Sequence, residues 1–181
     1  VICYREIRKL KQEISEQDFC EIYLNLEIAP GGYYWIFPES DTKVNVGLGV
    51  AGVDGFPNPK AQLYKHVLSR TIFESSTVIT GGGVMIPTRR PLDSLVGNGF
   101  VVIGDAACQV NPIHGGGIGP SLTGAKIAGE VIVEALEKDE PNCEALWPIN
   151  VKYMRNYGAK QAGLDIFRIF LQYLTNEDID Y

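Results

Sequence analysis

The chain has 181 residues, of which 45% are hydrophobic and 21% are charged, as in an ordinary folded protein with a core of its own. Its net charge of −6 at pH 7 argues against a dedicated nucleic-acid-binding surface, and no apolar run is long enough for a membrane-spanning helix. The opening stretch is charged from Arg5 onward, so no signal peptide is evident and we expect a cytoplasmic protein. Because this stretch looks like a strand already under way, we expect a piece of a longer protein, cut on its N-terminal side.

The first predicted elements form an antiparallel sheet. Residues 18–28 alternate polar and apolar side chains, which predicts a half-buried strand. Its expected inward face consists of Cys20, Ile22, Leu24 and Leu26. An aromatic strand over 33–38 and a third strand over 43–50 follow, each after a short turn.

Residues 47–52, GLGVAG, match the GxGxxG dinucleotide fingerprint letter for letter. That fingerprint requires a helix to begin inside the motif, so that helical N–H groups contact the pyrophosphate. Here Gly55, Pro57 and Pro59 follow closely and exclude such a helix. We therefore interpret the motif as a glycine-rich strand end.

The middle of the chain predicts a helix followed by a strand. Residues 58–74 show helical spacing, with Asn58 as a cap and Pro59 in the first turn. The side chains expected to face inward are those of Leu63, Val67 and Phe73. Residues 76–88 predict a strand that is interrupted by the glycines 81–83.

Residues 100–103, FVVI, are apolar on both faces, which is typical of a buried parallel strand. A long helix then runs to about Lys138. Residues 140–174 predict two further helices, with breaks near Pro148 and over 158–163.

The stretch between that strand and the long helix has the features of a ligand site. Asp105 directly follows the strand, where ligands bind in open α/β sheets, and a carboxylate there suits polyol hydroxyls and repels phosphates. Glycines 115–117 allow the backbone to approach a flat ligand, and Pro120 suits a first helical turn. The helix start stabilises delocalised negative charge, such as that of the C2–N1 edge of a reduced flavin. The alternative is a glycine-rich connector without a ligand.

Gly124 and Gly129 lie inside the predicted long helix. A glycine in a helix interior costs about 0.5–1 kcal/mol relative to alanine. Two such glycines indicate a helix that packs tightly against a sheet or a cofactor.

Residues 104–130, GDAACQVNPIHGGGIGPSLTGAKIAGE, resemble the second FAD-binding motif of the flavoprotein hydroxylase superfamily. Within it they look most like the geranylgeranyl reductase family, in particular its archaeal branch. A second stretch, YYWIFPESDTKVNVGLG over 33–49, resembles that family's YxWxFP…G motif. The residues that carry this motif here are Tyr33, Trp35, Phe37, Pro38 and Gly47. The resemblance covers most of residues 18–138.

The resemblance implies roles for the residues of both motifs. Asp105, after Gly104, would bind the ribityl or neighbouring hydroxyls of FAD. The residues expected against the isoalloxazine ring are Gly115, Gly116, Gly117 and Ile118, with Pro112 beside it. The aromatic motif would bind the substrate. The family's first FAD motif, which holds the adenine and pyrophosphate, has no counterpart here, so we expect this fragment alone to be inactive.

By the resemblance, the activity is FAD-dependent reduction of carbon–carbon double bonds in geranylgeranyl chains of membrane lipid precursors. A hydride from N5 of the reduced flavin would reach one alkene carbon and a proton the other. The electron donor would be ferredoxin, NAD(P)H or a deazaflavin, and the enzyme would contact the membrane peripherally. Two alternatives stay open, namely a flavin-dependent monooxygenase of the same superfamily and a non-catalytic module that binds a lipid or a protein partner.

Several other side chains leave two interpretations open. The aromatic residues of 33–37 that share a strand face line a substrate tunnel or belong to the core. His114 supplies a proton or positions the glycine loop. Residues 164–174 carry an apolar helical stripe that closes the cavity, lies on a membrane or packs in the core. The remaining basic candidates are Arg89 and Arg90 for FAD phosphates, and Lys152, Arg155 and Lys160 for a lipid phosphate, with a solvated face as the alternative.

Together the patterns predict an α+β (α/β) protein. Residues 1–90 would form a sheet-based substrate-binding domain, and residues 91–138 the C-terminal part of a Rossmann-like FAD-binding domain. Residues 139–181 would form a helical C-terminus. We expect no metal site, because two histidines and dispersed acids provide no ligand cluster.

Overall fold

The computed structural model describes residues 1–180, which divide into two compact units, residues 1–85 with 172–180 and residues 86–171. The first unit contains a five-stranded antiparallel sheet in the order β2-β3-β4-β1-β5. Its strands are β1 Ile2–Lys9, β2 Glu21–Tyr23, β3 Tyr34–Ser40, β4 Lys43–Val50 and β5 Thr77–Met85. The predicted antiparallel sheet is therefore confirmed, and β4 has the bounds that the sequence predicts.

A helical segment covers one face of this sheet. It runs from α1, Pro59–Gln62, through the π-helical turn Leu63–Val67, and the 3₁₀ turn Thr71–Phe73 follows. Asn58 caps it as predicted, since its Oδ1 accepts from the N–H groups of the second and third helical residues at 2.9 and 3.1 Å. The core beneath comprises Leu10, Ala29, Ile36, Val44, Val46, Leu48, Val50, Leu63, Val67 and Phe73. The expected inward positions of this helical segment are confirmed.

The strand predicted over 18–28 is wrong in length and in burial. Only β2 is extended, and Ile22 and Leu24, expected inside, are 54% and 61% exposed. The chain turns at Asn25, whose side-chain oxygen accepts from the N–H groups of the residues two and three positions later, at 3.0 and 3.1 Å. This local turn ends the strand in spite of the alternating pattern.

The glycines 81–83 do not interrupt β5, contrary to the prediction. They pair in unbroken register with residues 4–6 of β1, and the irregularity of this pairing lies between Ile7 and Arg8. At Gly81 a side chain would crowd Glu6, because a Cβ there would lie 3.0 Å from the glutamate Cγ. The glycine thus makes room for the neighbouring strand instead of breaking its own.

The second unit begins with a short hairpin of β6, Val96–Gly97, and β7, Phe100–Val101. The parallel strand predicted over 100–103 is wrong, because β7 pairs antiparallel with β6 and Phe100 is 60% exposed. The Asn-Gly dipeptide between the strands explains the difference, since Gly99 adopts φ +74° and closes a tight turn.

The rest of this unit is helical. Its helices are α2 Ile118–Glu137, α3 Cys143–Leu146, α4 Pro148–Tyr153 and α5 Ala159–Leu171, and α6 Asn176–Ile179 belongs to the first unit. The predicted end of α2 is confirmed, as is the break near Pro148. The break expected over 158–163 is absent, because the π-helical turn Met154–Gly158 continues directly into α5. None of the helices within residues 1–180 is both long and apolar enough to cross a membrane.

Helix α5 buries two of its polar side chains and leaves much of its apolar stripe exposed. Gln161 and Asp165 are buried. The apolar side chains that remain at least two fifths exposed in and after this helix are Ile166, Phe167, Ile169, Phe170 and Tyr173. Ordinary core packing of this stripe, one of the three interpretations, therefore does not hold in the described structure.

Candidate functional site

The turn after β7 presents an acidic side chain to solvent. Gly104, at φ +66°, begins the 3₁₀ turn Gly104–Ala107, and Cys108 ends it in the left-handed conformation at φ 54°. Asp105 lies on the first turn, is exposed, and its carboxylate has no hydrogen bond or ion pair with the described residues. A carboxylate so placed is free to accept hydrogen bonds from a ligand.

The glycine loop that follows is held by its own backbone and by two side chains. The Asn111 N–H donates to the Gly116 carbonyl at 3.0 Å, and its side-chain oxygen accepts from Ile113 N–H at 2.9 Å. The Nδ1 atom of His114 accepts from Gly116 N–H at 3.1 Å, which supports the loop-positioning interpretation of this histidine. Gly115 adopts φ +73°, a conformation that favours glycine. Pro112 is buried within the loop.

The loop ends at Gly117, directly beside Asp105. A Cβ on Gly117 would lie 3.2 Å from Oδ1 of Asp105 and 3.4 Å from Cγ2 of Val110. The next residue, Ile118, begins α2 and is 81% exposed. The first N–H groups of a helix have no partner inside it and carry partial positive charge, so a carboxylate and an amide-rich helix start share one surface here.

Gln109 lies beneath this surface and was not predicted from the sequence. It is fully buried, and its Oε1 accepts from Gly104 N–H at 2.7 Å. The same side chain fills the space beside Gly124, where a Cβ would lie 2.3 Å from Oε1. Tight packing is therefore confirmed for Gly124 and wrong for Gly129, where a Cβ would have no neighbouring atom within 4 Å.

A second buried glutamine ties the acidic turn to the helical region. The amide nitrogen of Gln161 donates to the carbonyls of Arg89, at 2.8 Å, and of Cys108. Its oxygen accepts from the hydroxyl of Tyr153 at 3.1 Å, and burial raises the pKa of that phenol. No local pattern signals this role, since a glutamine between small helical residues usually faces solvent.

The aromatic motif forms a surface on the sheet of the first unit. Tyr33, Trp35 and Phe37 are half-buried neighbours, with ring centroids 5.9 Å apart for the first pair and 6.2 Å for the second. The Trp35 indole covers Gly47, where a Cβ would lie 2.2 Å from Cζ2. Pro38 takes the opposite face, because it pairs with Val44 of the core. We call the surface of Tyr33, Trp35, Phe37 and Gly47 the aromatic face.

The remaining candidates occupy separate places. Lys152 and Arg155 line an open, mostly apolar groove of about 760 Å³ together with Trp147 and Val151, whereas Lys160 is not among its lining residues. The Arg89 side chain donates to the Arg90 carbonyl at 3.3 Å, and both residues are exposed. The described part of the chain contains no group of three or more His, Cys, Asp or Glu side chains that could hold a metal ion.

Comparison with known proteins gives consistent matches. Residues 1–85 match the model of the geranylgeranyl reductase catalytic domain. The digeranylgeranylglycerophospholipid reductase of Sulfolobus acidocaldarius is 43% identical over 182 residues, which cover 99% of this chain and 40% of that protein. The protein of the same name from Methanothrix thermoacetophila is 33% identical over 91% of this chain and 42% of its own length. The chain thus spans about two fifths of the curated relatives it matches.

Solved structures share the fold. A geranylgeranyl bacteriochlorophyll reductase-like protein of Thermoplasma acidophilum superposes with a TM-score of 0.85 at 23% identity, over 99% of this chain and 45% of that one. The flavin-dependent brominase Bmp2 superposes with a TM-score of 0.52 at 15% identity, over 92% of this chain and 50% of that one. The predicted α+β class, with its antiparallel sheet and helices, is confirmed.

Proposed function

Because the chain belongs to the geranylgeranyl reductase family, we propose that it supplies the substrate-binding sheet and part of the flavin site of an FAD-dependent reductase. The substrate is a polyprenyl lipid precursor whose carbon–carbon double bonds become saturated. The observation that carries this proposal is the approach of the Asp105 carboxylate to the start of α2 at Gly117.

The residues of this turn and loop fit an FAD molecule. Asp105 has free acceptor positions for the ribityl hydroxyls, and residues 115–117 expose backbone where a flat ring would lie. The helix start at Ile118 stabilises negative charge on the pyrimidine edge, and buried Pro112 supports the loop. When bound and reduced, FAD supplies the hydride that the reaction requires. An external electron donor, namely ferredoxin, NAD(P)H or a deazaflavin, completes the reaction.

The aromatic face suits an apolar chain. Its rings are half-buried and offer apolar area, which contributes about 25 cal/mol per Å² when a prenyl chain covers it. The indole N–H of Trp35 donates to Oδ1 of Asn45 at 3.1 Å, so the ring is held flat over Gly47 without an unpaired polar atom. Burial raises the pKa of Tyr33, as expected for a phenol that is partly withdrawn from water on an apolar surface.

The exposed apolar side of α5 supports a peripheral contact with the membrane in which such a substrate resides. Phe167 and Phe170 stack at 6.2 Å and are each at least half exposed. An amphipathic helix of this kind inserts its apolar side between lipid headgroups.

Asp105→Ala tests the flavin site in the full-length protein. We expect the purified variant to lose most of its FAD, measured by absorbance and by mass analysis of the released cofactor, because the polyol hydroxyls lose a charged acceptor worth about 1.5–3 kcal/mol. Asp54→Ala removes an exposed carboxylate from the other unit and should retain FAD. Full retention by Asp105→Ala would refute the site.

Anaerobic turnover separates the proposed activity from its alternatives. A reductase saturates a geranylgeranyl lipid without oxygen, whereas a monooxygenase of the same superfamily requires it. A full-length protein that carries no flavin and reduces no lipid would instead support the non-catalytic module.

A further inference from the structure

One row of residues runs across the sheet through the aromatic face. Trp35 of β3 lies opposite Gly47 of β4, and Gly47 lies opposite Arg5 of β1. On its other side, Arg5 lies opposite Gly82 of β5. Residues that are directly opposite one another in an antiparallel sheet point to the same side. Arg5 therefore lies on the aromatic face, two strands from the tryptophan.

Arg5 carries an uncompensated charge. It is exposed, and the described residues give its guanidinium no hydrogen bond, ion pair or ring contact. Its neighbour Arg8, on the other face, is paired with the buried Glu6 and also donates to Ser76 at 2.9 Å. The difference shows that the strand satisfies one arginine internally and leaves the other available.

Other charges on this side of the sheet lie at its hairpin end and have partners. Lys43 and Glu39 form an ion pair at 2.7 Å. Lys9 donates to the hydroxyl of Thr42 at 2.9 Å. Arg5 thus differs from them both in position, within the aromatic row, and in having no partner among the described residues.

The residues on both sides of Arg5 leave room for a ligand. A Cβ at Gly82 would have no neighbouring atom within 4 Å, so the β5 side of the guanidinium is open. On the β4 side Gly47 has no side chain of its own, and the Trp35 indole covers it. The Arg5 guanidinium therefore has open space on its β5 side and the Trp35 ring on its β4 side.

We propose that Arg5 binds the anionic headgroup of the lipid substrate, a phosphate on the glycerol, while its prenyl chains extend over the aromatic face. This proposal rests on the proposed function. A guanidinium is always charged and presents paired donors that match phosphate oxygens, so it suits this role better than a lysine. Arg5 then fixes which end of the amphipathic substrate lies beside Trp35 and makes a phosphorylated lipid the preferred substrate.

The test compares two lipids in the full-length, FAD-loaded enzyme reduced with dithionite, namely digeranylgeranylglyceryl phosphate and the uncharged digeranylgeranylglycerol. For Arg5→Gln we expect KM to rise about tenfold or more for the phosphate, with kcat and the KM for the alcohol unchanged. Arg5→Lys should recover part of the loss. Lys65→Gln serves as the matched control, because it removes an exposed cation on the helical side of the sheet. It should leave KM and kcat unchanged for both lipids.

Equilibrium binding of the saturated phosphate and alcohol lipids gives a readout independent of turnover. A wild-type enzyme that reduces neither lipid would refute the proposed function, and the binding measurement alone would then decide the role of Arg5. Equal effects of Arg5→Gln on both lipids, or no effect on either, would overturn the proposal.

Discussion

Gly124 and Gly129 lie on the same helix and differ in what a methyl group would meet. At position 124 it would collide with the buried amide of Gln109, and at position 129 it would enter open space. Displacing Gln109 also breaks its bond to Gly104 N–H, at the start of the turn that carries Asp105. The helix is therefore sensitive to side-chain size at one glycine and insensitive at the other.

We expect Gly129→Ala to raise the unfolding free energy by about 0.5–1 kcal/mol, because alanine favours the helix. Gly124→Ala should lower it by about 1–2 kcal/mol, because overpacking outweighs the same gain. Thermal unfolding of the two full-length variants against the wild type measures this. A Gly124→Ala protein as stable as Gly129→Ala would contradict the packing described for Gln109.

At the scale of elements, α5 contacts the turn that ends at Cys108, more than fifty residues earlier in the chain, through a hydrogen bond from Gln161. The two carbonyls that Gln161 binds belong to Arg89 and Cys108, and the latter has a left-handed backbone that needs support. A helix remote in sequence thus fixes the conformation of the turn that presents Asp105.

Gln161→Leu should destabilise the full-length protein by about 1–3 kcal/mol, because it leaves the Tyr153 hydroxyl and the Arg89 carbonyl without a partner and removes one of the two donors to the Cys108 carbonyl. We also expect weaker FAD binding, measured by titration of the apoprotein. Tyr153→Phe removes one hydroxyl, keeps the glutamine, and should lose stability with nearly wild-type FAD affinity. Unchanged FAD affinity in Gln161→Leu would show that the hydrogen bonds of Gln161 stabilise the fold without affecting the flavin site.

Local patterns predicted those elements whose cause is local. The alternation in β3 and β4 and the Asn58 cap were sufficient because near neighbours decide them. The strand over 18–28 failed where an asparagine turn competed with the alternation, and the buried glutamines 109 and 161 were invisible because distant segments bury them. The proximity of Asp105 and Gly117 was expected from the sequence, whereas the hydrogen bonds of Gln109 and Gln161 that support this turn were not.

At the scale of the whole molecule, the surface contains apolar regions that ordinary solvation does not favour. The side chains around Phe167 and Phe170 form such a region on α5. Their removal costs little folding energy, because they are already exposed in the described structure.

We therefore expect the double variant Phe167→Ser and Phe170→Ser to bind anionic lipid vesicles several-fold less than the wild type, with a similar thermal midpoint. Flotation of the full-length protein with the vesicles measures binding. Val133→Ser, at a 56% exposed apolar position of α2, controls for general loss of surface hydrophobicity. Equal flotation of the double variant and the wild type would refute membrane contact through α5.

The π-helical turn Met154–Gly158 determines which side of α5 faces the protein. A π turn contains one residue more than an α turn, and each residue rotates a helix by about 100°. If the same sequence continued as a regular α-helix through this turn, every side chain downstream would be rotated by about 100°, and Gln161 would no longer face the Cys108 carbonyl. The extra residue of the π turn therefore sets the rotation of α5 about its own axis, with Gln161 buried and Phe167 exposed.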